Sequence, residues 1–224
     1  MQQVHHDVLV ELSNVFLTSD RGEEVFEDLC FKLNTRRSAV ITGPAGSGKT
    51  TLVELLIGRR WAQSGFVEVM GEVLKPGQSK AVRRVRRRIG GVGGIFGLMP
   101  SLTVAENIIF PLILSGERRK VRRERLLKVL GEFSLLKQGA EYPNSLTRVE
   151  RTLVQFARAS IAHQPLMVID EPLAGLDRKT YQRILDYLVS ASLAGRSMII
   201  LASDDLEEQL PNTDYYQIAG GKLV

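Results

Sequence analysis

The stretch GPAGSGKTT, residues 43–51, constrains this chain more than any other. Its first eight residues match G-x-x-x-x-G-K-[ST], a pattern in which glycines let the backbone turn its amides toward phosphate oxygens. An apolar run, SAVIT (38–42), precedes it, and KTTLVELLIG (49–58) follows as a predicted helix that ends at Gly58. Since the N-terminus of a helix also favours an anion, this context predicts a binding site for a nucleoside triphosphate.

The predicted nucleotide-binding residues are those of the motif itself: Gly43, Pro44, Ala45, Gly46, Ser47, Gly48, Lys49, Thr50 and Thr51. Lys49 would place a positive charge on the β- and γ-phosphates, and the Thr50 hydroxyl can ligate Mg²⁺. Further along, LMVIDEP (166–172) puts Asp170 at the end of an apolar strand, where its carboxylate can hold Mg²⁺. Glu171 follows at once and is the predicted general base for an attacking water.

Strand-like and helical runs alternate along the chain. The predicted strands are VLVEL (8–12), LCFKL (29–33), SAVIT, LMVID (166–170) and SMIILAS (197–203), and FVEVMGEVL (66–74) is typical of a hairpin around Gly71. Residues from about 100 to 163 have helical periodicity, and a further helix is predicted over about 178–193. Strands separated by helices predict an α/β fold with a parallel sheet covered on both faces and an inserted helical subdomain.

Charge and composition limit the partners and the cellular location that we expect for this chain. The formal net charge is +5, and two basic runs, VRRVRRR (82–88) and ERRKVRRER (117–125), supply much of it. These runs are either solvated helix faces or a surface for anionic lipid or an acidic partner. Nucleic acid is not an expected partner, because no aromatic residues are interleaved to stack on bases. With one cysteine, no secretory signal and no apolar run near the ~20 residues of a membrane span, we expect a cytoplasmic protein.

Further motifs appear in a characteristic order: GLMPSLTVAENIIFPL (97–112), YPNSL (142–146), ARA (157–159), VIDEP (168–172) and LAGLD (173–177). Together with the phosphate loop they resemble the ATP-binding subunit of an ABC transporter over essentially the whole chain. TVAENIIFPL is similar to the small ATPases of the FtsE, lipoprotein-release and phospholipid-trafficking groups. The resemblance implies ATP and Mg²⁺, and a single domain (1–224) with a P-loop α/β core, an N-terminal antiparallel sheet and a helical subdomain at about 97–163.

The same resemblance implies partners and a location. Two ATP-binding subunits, in a homodimer or a heterodimer, would hold two ATPs head to tail beneath an integral, permease-like membrane subunit. The chain would then be peripheral on the inner face of the cell membrane. LAGLD, with Asp177, matches the loop that crosses to the other subunit's site. A DNA-repair ATPase of the same superfamily would usually carry a long coiled coil, for which the sequence has no pattern.

Three positions depart from the family's pattern. The glutamine that senses Mg²⁺ and the attacking water falls on Gly94, within GGVGG (90–94), which we expect to be a pliant loop. The signature Ser-Gly-Gly-Gln is replaced by Thr-Arg-Val-Glu at 147–150, in which T-x-x-E predicts a capping box at a helix start. The switch histidine falls on Asp204, which we expect to cap a helix together with Glu207.

Two functions therefore stay open. The first is an ATP hydrolase of slow turnover that drives or gates a separate membrane protein, and the intact Glu171 favours it. The second is a regulatory or structural subunit that binds ATP with little turnover, which Gly94, Arg148 and Asp204 favour. Phe16 is the nearest candidate for stacking on adenine.

Overall fold

A computed structural model describes residues 7–171, 173 and 175–224. The strands are β1 (Val8–Thr18), β2 (Glu24–Asn34), β3 (Ser38–Thr42), β4 (Ser64–Val69), β5 (Glu72–Val73), β6 (Ile89–Val92), β7 (Leu166–Asp170), β8 (Ser197–Ala202), β9 (Thr213–Ala219) and β10 (Lys222–Leu223). The helices are α1 (Lys49–Leu56), α2 (Ser79–Arg87), α3 (Val104–Leu114), α4 (Arg119–Glu132), α5 (Arg148–Ile161) and α6 (Arg178–Leu193). Short 3-10 turns occur at Gly94–Phe96 and Pro143–Ser145.

The larger sheet has the strand order β10-β9-β3-β8-β7-β6, and all its neighbours are parallel except the β9–β10 pair. Strands β7 and β8 are buried along their whole length, as expected for a sheet covered on both faces. Thr42 pairs with Ala202, and Asp170 pairs with Leu201. The carboxyl ends of β3, β8 and β7 therefore meet at one edge. The predicted α/β fold with a parallel sheet is confirmed.

The smaller sheet is antiparallel, with the order β2-β1-β4-β5. Its predicted hairpin is confirmed: Met70 and Gly71 join β4 to β5 with φ values of 54° and 81°. Two consecutive left-handed residues match the twist of a tight hairpin. This sheet, α1 and one face of the larger sheet enclose a common apolar core, in which α1 buries Leu52, Leu55 and Leu56.

Helices α3 to α6 build a second core on the other face of the larger sheet. Phe133 just after α4, Phe156 of α5 and Tyr187 of α6 form its aromatic centre, with ring centroids 5.2 to 6.3 Å apart. Leu130 of α4 is also buried. No helix in the described part of the chain is long and apolar enough to span a membrane.

The helix expected after Asp204 is not formed. Residues 203–208 make bends, and the backbone N–H of Glu207 donates to the Tyr181 hydroxyl at 3.1 Å. Leu210 is buried, and its N–H donates to the Tyr215 hydroxyl at 2.6 Å. The segment makes these tertiary contacts instead of a helix, because so short a helix would gain too few hydrogen bonds to offset the free-energy cost of nucleation.

Two glycines allow a test of backbone packing in the smaller sheet. Gly65 and Gly71 both have left-handed φ values, but a Cβ on Gly65 would overlap the backbone of Ser13 and Asn14, whereas one on Gly71 meets open space. We expect Gly71→Ala to lower the free energy of unfolding by about 1–2 kcal/mol, the cost of a left-handed L-residue. Gly65→Ala should cost at least about 2 kcal/mol more, because the strands must separate. Urea unfolding of both variants measures the difference, and equal losses would contradict this account.

Candidate functional site

The loop between β3 and α1 has a geometry that only its glycines permit. Gly46 and Gly48 have φ values of 83° and 101°. A Cβ on Gly43 would lie 2.8 Å from Ser47 Oγ, and a Cβ on Gly48 would lie 2.9 Å from the ring of Phe26. Gly48 is also the N-cap of α1, so the helix begins at the loop. Its unpaired amides and dipole thus favour an anion at this position.

Lys49 lies inside the turn of this loop. Only 6% of its surface is exposed, and Nζ donates to the carbonyl oxygens of Gly43 at 2.6 Å and Pro44 at 3.0 Å. Its ammonium is also 3.3 Å from Glu171 Oε1. A buried positive charge that faces one carboxylate and the loop is suited to neutralising phosphate oxygens.

Thr50 and Asp170 meet at the end of β7. The Thr50 hydroxyl donates to Asp170 Oδ2 at 3.2 Å, although the two residues are 120 positions apart. Asp170 Oδ1 is buried and has no hydrogen-bond partner within the described residues. Burial raises the pKa of Asp170, against the hydrogen bond from Thr50, and the negative charge of Glu171 raises it further. An unpaired carboxylate oxygen beside a hydroxyl fits Mg²⁺, which is commonly held by one or two protein oxygens plus phosphates and water.

Glu171 is held by a residue that the sequence analysis missed. Ser203 Oγ donates to Glu171 Oε1 at 2.6 Å, and Ser203 N donates to Oε2 at 3.2 Å. Glu171 itself has a φ of 51°, and its N–H donates to the carbonyl of Leu201 at 2.9 Å. The left-handed backbone conformation costs a non-glycine residue about 1–3 kcal/mol of conformational free energy, and it is typical of constrained functional positions. The available signal was topological: Ser203 directly follows β8, the neighbour of β7.

Lys49, Thr50, Glu171 and Ser203 line a cleft of about 1150 Å³. Its walls are the phosphate loop, the β1–β2 turn with Ser19 and Arg21, the β9–β10 turn, Glu171 and Ser203. Among the described residues, no aromatic side chain lines the cleft. Phe16 is half-buried on β1 and lies outside these walls, so it is not positioned to stack on a base.

The three departures from the family's pattern have different surroundings. Gly94 begins a 3-10 turn, and a Cβ there would meet no atom within 4 Å. Asp204 is exposed and lines neither the cleft nor the cavity beside Asp170. Arg148 does line that cavity, which has a volume of about 440 Å³ and also borders Asp170 and Glu171. The position of Gly94 thus leaves open space, Asp204 faces solvent, and Arg148 brings a cation to the cavity that Asp170 and Glu171 border.

The predicted capping box at the start of α5 is confirmed. Thr147 Oγ1 accepts from the N–H of Glu150 at 3.2 Å, and Glu150 Oε2 accepts from the N–H of Thr147 at 2.8 Å. These hydrogen bonds hold the pKa of Glu150 below its ordinary value. Asp177 likewise caps α6, where it accepts from the N–H of Thr180 at 3.0 Å. Pro172 and Ala174, within VIDEP and LAGLD, are outside the described residues.

Comparison with known proteins agrees with this geometry. A family model described as ABC transporter matches residues 26–174. Lipoprotein-releasing system ATP-binding protein LolD of Pseudomonas syringae pv. tomato is 31% identical over 201 residues, covering 89% of this chain and 88% of LolD. Methionine import ATP-binding protein MetN of Latilactobacillus sakei subsp. sakei is 31% identical over 202 residues, covering 89% of this chain but only 59% of MetN. The dimeric structure of MJ0796, a bacterial ABC transporter cassette, matches with a TM-score of 0.82 and 25% identity, covering 96% of each chain.

The chain belongs to the ABC transporter family. Within that family it is a nucleotide-binding subunit of the ABC ATPase type, as the resemblance predicted. The roles of the individual site residues and the limits of the helical subdomain stay predictions.

The buried carboxyl of Asp170 gives a prediction about stability. We expect Asp170→Asn to raise the free energy of unfolding of the nucleotide-free protein at pH 7, because burial raises the pKa of this carboxyl and its ionised form is disfavoured. This cost is fully present above the raised folded-state pKa and disappears below the ordinary aspartate pKa of about 3.9. The difference between variant and wild type should therefore shrink as the pH falls. Urea unfolding at several pH values measures it, and a less stable variant at pH 7 would contradict the assignment.

Proposed function

We propose that this chain binds Mg·ATP and hydrolyses it slowly to drive or gate a separate membrane protein. One observation carries the proposal: Lys49 and Thr50 lie 3.3 and 3.2 Å from Glu171 and Asp170, so the phosphate loop, metal-site carboxylate and candidate base share one edge of the sheet. All nine residues of the loop, 43–51, belong to the proposed nucleotide site. The bound Mg²⁺ would supply charge neutralisation to the phosphates.

The described residues have distinct tasks in this proposal. Lys49 and the amides at the start of α1 bind the phosphates, and Thr50 and Asp170 offer oxygens to the metal. Glu171 is the general base, and Ser203 orients it by donating two hydrogen bonds to its carboxylate. Lys49 Nζ lies 3.3 Å from the same carboxylate, so the cation that would bind the phosphates also contacts the candidate base.

Slow turnover follows from what surrounds the γ-phosphate position. Neither Gly94 nor Asp204 can donate a side-chain hydrogen bond there, and Arg148 and Val149 stand where family members carry glycines. The loss of one preorganised donor to developing charge costs on the order of 10²–10³ in rate. The losses need not add when the groups act as a unit.

The regulatory alternative rests on the same departures. A chain that binds ATP with little turnover would still dimerise or pair with a standard subunit. Such a partner, with an intact signature motif, would complete the site built on this chain. The relative MJ0796 forms a dimer as a cassette. Pairing with a standard subunit of different sequence, and not with a second copy of this chain, would therefore favour the regulatory alternative.

An integral membrane subunit is the proposed partner, and the relative LolD is the ATP-binding protein of a lipoprotein-releasing system. An apolar groove of about 610 Å³ supports it, with Met99, Phe110 and Leu114 in its walls and Leu114 47% exposed. Arg86, Arg87 and Arg88 line the same groove. An amphipathic segment with acidic side chains, offered by the membrane subunit, matches both the apolar walls and the positive charge.

Turnover tests the proposal. We expect the purified protein to release phosphate slowly, and Gly94→Gln to accelerate release by up to on the order of 10² because it returns an amide to a position with open space. Gly94→Ala, which adds no amide, is the matched control. A steady-state phosphate-release assay compares the three proteins.

Two further variants identify the site responsible. Glu171→Gln should abolish release while a fluorescent ATP analogue still binds, and Lys49→Ala should remove most of the binding. Equal nucleotide affinities for Lys49→Ala and wild type would contradict the proposed nucleotide-binding site. Rapid turnover by the lone wild-type protein would discard the regulatory alternative.

The basic run on α4 tests the proposed location at the membrane. Arg118, Arg119 and Arg123 are exposed, and each cation near an anionic surface contributes about 1 kcal/mol. Replacing all three by serine should lower binding to anionic vesicles by on the order of 10² at low salt. Replacing the exposed residues Lys32, Lys75 and Lys179 by serine removes the same charge from three positions outside the basic run and serves as control. Equal losses in a flotation assay would mean that net charge alone acts.

A further inference from the structure

The glycine-rich stretch 90–94 is packed between α5 and the metal-site carboxylate. A Cβ on Gly90 would lie 2.6 Å from the carbonyl oxygen of Ala159, so β6 and α5 approach as closely as glycine allows. Gly93 has a φ of 117°, and a Cβ there would lie 2.8 Å from the Cβ of Asp170. The stretch is therefore a packing surface, and the expectation of a pliant loop is wrong.

Gln155, in the middle of α5, holds this stretch with both ends of its amide. Its Oε1 accepts from the N–H of Gly93 at 3.0 Å, and its Nε2 donates to the carbonyls of Gly93 at 3.3 Å and Phe96 at 3.5 Å. Arg158, one turn further along, donates to the carbonyls of Phe96 and Gly97. Burial lowers the pKa of Arg158 to about 10, so it remains protonated at neutral pH. Two side chains of one helix face thus anchor the loop.

This anchoring bears directly on Asp170. Gln155, Gly93 and Asp170 line the same cavity of about 440 Å³. A Cβ on Gly93 would lie 2.5 Å from the carbonyl oxygen of Asp170 and 2.8 Å from its Cβ, so the backbone of the loop packs directly against Asp170. Contacts that hold a metal ligand in place raise metal affinity because the ligand is preorganised, and their loss typically costs about 10–100-fold in affinity or activity.

We propose that Gln155 is a positioning residue that sets the metal affinity of Asp170 by fixing Gly93 against it. The inference rests on the proposed Mg·ATP site and adds a residue that acts through the loop backbone. Arg158 anchors the far end of the same loop. Gln155 supplies hydrogen bonds to Gly93, which packs against the backbone of Asp170.

The test replaces the amide while keeping its volume. Gln155→Met fills similar space without hydrogen bonds, and Gln182→Met is the matched control, because Gln182 bonds only to Asp186 on the exposed side of α6 among the described residues. Mn²⁺ is the probe, titrated by electron paramagnetic resonance in the presence of saturating ATP analogue. We expect Gln155→Met to weaken Mn²⁺ binding about 10-fold, and Gln182→Met to leave it unchanged.

A second measurement separates positioning from general support of the fold. Affinity for the ATP analogue in EDTA should be unchanged in Gln155→Met, and a cooperative thermal unfolding transition should show that the variant is folded. If Mn²⁺ affinity is unchanged in Gln155→Met, only the inference about Gln155 is overturned. The same holds if this variant loses nucleotide affinity in EDTA as much as it loses Mn²⁺ affinity. Absence of nucleotide binding by the wild type would overturn the proposed function as well, so the two failures are distinguishable.

Discussion

Parallel pairing of β3, β8 and β7 is the constraint on which the site depends. It brings the residues after three strands to one edge: the phosphate loop after β3, Ser203 after β8 and Glu171 after β7. Register then sets the distances, since Thr50 reaches Asp170 and Lys49 reaches Glu171 only if the strands end level. In open α/β sheets the carboxyl edge is the usual place for ligands, and here it gathers oxygen donors, a buried cation and a helix N-terminus.

Groups of opposite charge lie close together at this edge. Lys49 is buried against Glu171, and Asp170 keeps one oxygen without a partner among the described residues. A buried charge with incomplete partners is costly, and such costs are concentrated at functional sites. In the proposed Mg·ATP site, the metal would offer a cation to Asp170 and the phosphates would offer anionic oxygens to Lys49.

Helix α5 joins two of the three places at which this chain departs from the family's pattern. Its first turn carries the Thr147–Glu150 box in place of the usual signature, and its middle holds the glycine stretch through Gln155. The basic run at 82–88 is likewise partly structural: Arg84 forms a double hydrogen bond with Glu72, and Arg86 donates to the carbonyls of Ile57 and Gly58. The sequence analysis interpreted that run as a solvated helix face or as a binding surface, and neither interpretation predicted these contacts.

The sequence by itself determined the phosphate loop, the limits of β3, β7 and α6 and the α/β class, because these follow from local composition and from apolar runs of characteristic period. It also predicted the Thr147 capping box, which is contained in four residues. Only the tertiary structure decided that Ser203 binds Glu171, that Gln155 binds Gly93, and that no helix follows Asp204. The physical reason is that these outcomes depend on residues distant in sequence: side chains on neighbouring strands and helices compete with local propensity, and their partners are set by register and packing.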